Sequence, residues 1–134
     1  MKKFIKVIVL AMAFVLVFAT LASCGKNIDK IEEKAKDAGY EVDVEKLDEA
    51  DEDGVVACMS IVDNESNALF GTPYAEVYEF ENADAAKEAY EDAKEYVEKA
   101  AEDAEKLGLE SNLVVKRSGK IVIMGDEDIV KKVW

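Results

Sequence analysis

Apolar and polar residues follow one another along this chain in three rhythms: an unbroken run, a period of three to four, and a period of two. The unbroken run comes first, from Val7 to Ala19, with Lys2, Lys3 and Lys6 around its start. Beyond it, Ile28, Ile31, Ala35 and Ala38 recur at spacings of three and four, with Asn27 suited to cap and Gly39 to stop, and this predicts a helix. The stretch Tyr40 to Glu45 alternates, with Tyr40, Val42 and Val44 on one face and three carboxylates on the other, as a half-buried strand does. After an acidic connection over 48–54, Val55 to Val62 is apolar on both faces and predicts a central strand. Asn64 to Pro73 reads as a loop. Tyr74 to Glu81 reads as a third strand, with Tyr74, Tyr78 and Phe80 beside Glu76 on one face and Ala75 and Val77 on the other.

The period of three to four returns after Asn82 and persists from Ala83 to Leu107, closed by Gly108. Its stripe is largely alanine, including Ala86, Ala89, Ala93, Ala100 and Ala104, so the helix axis can come close to a sheet face carrying large residues such as Tyr78 and Phe80. Two more strands, 113–117 and 120–124, flank Ser118-Gly119 as a two-residue hairpin turn. A short last helix then opens with Asp126, Glu127 and Asp128 and closes with Lys131 and Lys132, charges placed to suit its dipole, and Ile129, Val130, Val133 and Trp134 give it a buried face. The predicted order is αβββαββα. It implies an α+β fold in which an antiparallel sheet of about five strands is covered on one face by helices.

The first run has a different purpose. Its lysines, its apolar stretch and the sequence Leu21-Ala22-Ser23-Cys24 resemble a bacterial prolipoprotein signal peptide with its lipobox. The resemblance covers residues 1–24 and implies that Cys24 receives a diacylglycerol through a thioether and becomes the new N-terminus after cleavage. An uncleaved spanning helix is the alternative, since Val7 to Cys24 just reaches the minimum spanning length; small residues followed by cysteine at the end of the run favour cleavage. On this reading residues 1–23 are a signal peptide, 24–27 a short tether and 28–134 a single domain. The expected location is the extracytoplasmic face of the cell membrane, with two acyl chains as anchor. Three residues between Cys24 and the first helix reach roughly 10 Å, so the domain sits close to the lipid.

Removing the leader takes away Lys2, Lys3 and Lys6 but no acid, so 14 of the 17 basic side chains remain against 30 acidic ones and the formal charge moves from −13 to −16. Such a surface repels nucleic-acid phosphate, and no nucleic-acid partner is expected. The chain contains no histidine, which removes imidazole-based catalysis and most zinc sites. Cys58 has no basic neighbour in sequence and reads as a small buried hydrophobe.

Two other groups remain. Glu49, Asp51 and Asp53 with Gly54 imitate the first half of a calcium loop, but the twelfth position is Ser60 rather than a bidentate glutamate, so weak Ca²⁺ binding stands against a plain solvated turn. Lys26, Lys30 and Lys34 stand at four-residue intervals on the element nearest the lipid, a candidate contact with anionic headgroups or else ordinary solvated lysines. The expected role is a non-catalytic binding or accessory module at the envelope, acting on an unidentified envelope protein or ligand, with no cofactor beyond the lipid. A hydrolase using carboxylates on an open sheet face and a self-associating structural module are the alternatives.

Overall fold

The computed structural model describes residues 26–66 and 71–134. The leader, the lipobox and Cys24 lie outside these residues, as do Leu69 and Phe70 of the loop. In chain order the elements are α1 (Ile28–Asp37), β1 (Glu41–Lys46), β2 (Val55–Val62), β3 (Tyr74–Phe80), α2 (Ala83–Lys106), β4 (Leu113–Ser118), β5 (Ile121–Asp126) and α3 (Glu127–Val133). The order is the αβββαββα expected, and the five strands form one antiparallel sheet arranged β1-β2-β3-β5-β4.

Local chemistry sets the helix ends. The Asn27 side chain accepts from the Asp29 N–H at 2.7 Å and that of Asn82 from the Ala85 N–H at 2.8 Å, so each fills an otherwise unpaired first-turn donor. Both helices close with the same pair of main-chain bonds around a left-handed glycine. Gly39 (φ 84°) and Tyr40 donate to Lys36 and Ala35, and Gly108 (φ 71°) and Leu109 donate to Glu105 and Ala104. The residue after the first glycine, Tyr40, is buried; its counterpart Leu109 is exposed.

The hairpin of β4 and β5 turns through Gly119-Lys120, one position later than Ser118-Gly119, because Ser118 pairs with Ile121 and Gly119 adopts the positive φ (57°) the turn requires. Gly125 answers a second backbone demand. It lies opposite Ala75 where β5 meets β3, and a Cβ there would stand 2.4 Å from the Ala75 Cα.

Coverage of the sheet corrects the expectation of helices on one face. α1 and α3 lie together over one side, where Ile28, Ile31, Ile129 and Val130 meet Met59, Ile61, Val77 and Ile123. On the other side α2 packs Ala86 and Ala93 against Tyr78, Phe80, Val122 and Met124. Strands β2, β3 and β5 carry apolar residues on both faces, so a sheet covered once would leave Tyr78, Phe80, Val122 and Met124 in water, at about 1.5–3 kcal/mol for each large side chain. The alanine stripe meets Tyr78 and Phe80 as its composition implies. Tyr74, at the end of the same face, stays exposed. The 24 residues of α2 span about 36 Å against about 24 Å for the seven of β3, and the excess overhangs, leaving Leu107 76% exposed.

Candidate functional site

Two surfaces carry chemistry that the core does not use. The first is the part of the α2 side of the sheet that α2 leaves bare. The helix lies over β4, β5 and β3, so β1 and the outer side of β2 remain open on that face. Antiparallel register brings side chains from three strands into rows there. One row is Asp43 on β1, Ser60 on β2 and Glu76 on β3; the next is Glu45, Cys58 and Tyr78.

Moving inward along each row, burial rises. Asp43 and Ser60 are exposed and Glu76 is half-buried, and in the next row Glu45 is half-buried while Cys58 and Tyr78 are buried. The buried members are tied to the acids. Tyr78 donates its hydroxyl to Glu76 Oε2 at 3.0 Å, and the Cys58 thiol lies 3.8 Å from Glu45 Oε2. Burial raises the Glu76 carboxyl above its ordinary value of 4.5, with the Tyr78 hydroxyl pulling the other way. Glu45 is raised by desolvation and by the charge of Asp43, against the Cys58 thiol. Burial and the neighbouring Glu45 push the Cys58 thiol up to about 12. At neutral pH it stays protonated, which is the opposite of an activated nucleophile and agrees with the sequence reading of Cys58.

The second surface is a cavity of about 340 Å³ lined by Lys26, Asn27, Lys30, Ile31, Lys34 and Ser118. It joins the start of α1 to the tip of the β4–β5 hairpin. Lys30 and Lys34 line one concavity because residues four apart lie on one side of a helix, and Lys26, just before the N-cap Asn27, joins them there. Trp134 adjoins it: its main-chain oxygen accepts from Lys26 Nζ and, at 3.4 Å, from Lys34 Nζ, and Lys26 Nζ stands 5.4 Å from the centre of the indole. On the same helix Asp29 pairs with Lys46 at 3.2 Å and Glu32 with Lys36 at 2.5 Å, while Glu33 and Asp37 are exposed.

The acidic connection between β1 and β2 is organised by Asp51. Its Oδ1 accepts from the Asp53 N–H at 3.0 Å and the Val55 N–H at 2.8 Å, while Gly54 (φ 80°) turns the chain. Glu49 is exposed, and among the described residues no group of three or more Asp, Glu or Cys side chains stands where it could hold a metal ion. Cys24 lies outside the described residues. Among those residues no helix is long and apolar enough to cross a membrane.

Sequence reasoning grouped Lys26, Lys30 and Lys34 by their spacing in and just before the first helix, and put Trp134 only in a buried face. The partner across 108 positions could not be read from local pattern. The row of Asp43, Ser60 and Glu76 was also missed, although the alternation of β1 already collected its carboxylates on one face.

No family model matches the chain, and neither a curated protein nor a solved structure matches it.

Proposed function

We propose that this chain is a lipid-anchored module on the extracytoplasmic side of the cell membrane, held through diacylglycerol on Cys24, that binds or supports another envelope component without catalysing a reaction. The observation that supports this reading is the half-open face. Asp43, Glu45 and Glu76 present carboxylates from adjoining strands on the side of the sheet opposite α1, the helix that follows the tether. A surface so charged attracts a cationic segment of a partner and steers its approach. Catalysis has less support: the chain has no histidine, and Cys58 is held as the thiol. The raised carboxyls of Glu45 and Glu76 favour acid–base hydrolysis as the second reading.

Growth with radiolabelled palmitate tests the anchor. The wild-type protein is expected to carry label and to sediment with membranes, and Cys24→Ser to carry none. An unlabelled wild-type band overturns it. For the binding face, a fluorescent lysine-rich peptide is expected to bind the native chain and to lose at least tenfold in affinity to the Asp43→Lys, Glu45→Lys variant. Equal binding by both chains removes the face from consideration.

A further inference from the structure

The lysine cavity has three properties that together specify an occupant. Its lining is cationic, with Lys30 and Lys34 on one side of α1, Lys26 just before that helix, and Ser118 from the end of β4. Among the described residues its donors are only partly used. Lys26 and Lys34 share one main-chain acceptor on Trp134, and each ammonium has three N–H groups, so most of them remain for a further acceptor. Its position is set by the chain: Lys26 follows Cys24 by two residues, a reach of roughly 7 Å. Beside it sits Trp134, partly buried and the only tryptophan in the chain, with an apolar ring and a polar N–H of the kind that settles at a membrane–water boundary.

From these we infer that the cavity is a docking site for the phosphate of anionic phospholipid in the leaflet that holds the anchor, so that the α1 and α3 side of the domain rests on the bilayer. The inference rests on the lipid-anchored reading above and adds an orientation to it. The formal charge of −16 left after the leader is removed opposes contact with an anionic surface, but only charges near that surface count. Screening falls off over about 8 Å at physiological salt, and the carboxylates of the half-open face stand behind the sheet, about 10 Å further from α1. Repulsion of those acids and attraction of the lysines favour the same orientation.

Trp134 provides the readout. The full chain is reconstituted into vesicles of phosphatidylcholine alone or with about a third phosphatidylglycerol, and flotation and tryptophan emission are measured together with quenching by brominated lipid. Docking predicts flotation with both vesicles, and a blue shift and quenching only with the anionic ones. Neutralising a lysine near an anionic surface lowers docking about fivefold. The exposed pair Lys30→Gln, Lys34→Gln is therefore expected to weaken the docked state about 25-fold, and the control pair Lys94→Gln, Lys99→Gln on α2 to leave it unchanged.

Flotation with both vesicles but no charge-dependent emission change overturns docking and leaves the anchor standing. Flotation only with anionic vesicles, lost in the Lys30, Lys34 pair, removes the anchor and keeps docking. Equal effects of both lysine pairs reduce the interaction to bulk charge and overturn the site. A shift of the same size from millimolar inorganic phosphate without vesicles reassigns the cavity to a soluble anion and overturns docking to lipid.

Discussion

Ile61, Val77 and Ile123 on one side of β2, β3 and β5 lie wholly buried beneath α1 and α3, whereas on the other side of those strands Ser60 is exposed and Glu76 only half-buried. The closed side is covered by helices of 10 and 7 residues and the half-open side by one of 24, so total helix length does not explain the difference. Width does. Five strands at about 4.8 Å spacing make a sheet about 19 Å across, and a helix with its side chains covers about 10 Å. Two short helices side by side therefore close a face that one long helix can only half cover. The surplus length of α2 goes past the end of the sheet, and the surplus width of the sheet becomes an exposed surface on which acids are tolerated.

Removing packing from the closed side should have the largest effect. Ile123→Ala is expected to cost about 2–5 kcal/mol, because the surrounding helices cannot collapse into the space, while Ser60→Ala on β2 is expected to stay within about 0.5 kcal/mol. Urea midpoints measure both, and similar shifts would mean that the two sides are equally packed.

Adding bulk under α2 comes next, and it maps where contact ends. Ala93 is fully buried against the sheet and Ala100, two turns on, is partly exposed. Ala93→Leu should therefore cost about 1–3 kcal/mol by overpacking and Ala100→Leu much less. Equal midpoints for the two variants would mean that α2 presses on the sheet as closely at Ala100 as at Ala93.

The smallest effect distinguishes the sides by pH. Glu76 has a folded-state pKa above its ordinary 4.5, so the fold holds its proton more tightly than the unfolded chain does. Its contribution to stability is fully present below about pH 4.5 and is lost as pH rises through the higher folded value. Glu76→Gln, which still accepts from Tyr78, is expected to raise the melting temperature at pH 7 and to lose that advantage toward pH 4. A variant less stable than wild type at pH 7 would show that the ionised carboxylate is well solvated or paired.

The elements themselves were legible because their signals are local. Alternation gave β1 its faces, asparagines marked both N-caps, and glycines marked both helix ends. The second covered face was also written in the chain: Ile121, Val122, Ile123 and Met124 are four consecutive apolar residues, a pattern of strands buried on both sides. What could not be read was register. Which residue of β2 stands beside Asp43 depends on the hairpin between them, and a slip of one position would have sent Ser60 to the other side. The lysines were visible because helical neighbours are four residues apart, and Trp134 was not because its nearness to Lys26 is made by the whole fold.

The place of β5 between β3 and β4 has a consequence for how the protein can be made. A ribosome delivers β1, β2 and β3 as a complete antiparallel meander, yet the strand that seals the inner edge of β3 arrives some forty residues later, after all of α2. Until Ile121 to Asp126 join the sheet, β3 keeps an unpaired main-chain edge, the kind of surface that recruits other strands and seeds aggregation. Fragments ending before β5 should need a holding chaperone, and the domain should become protease-resistant only once β5 has joined the sheet.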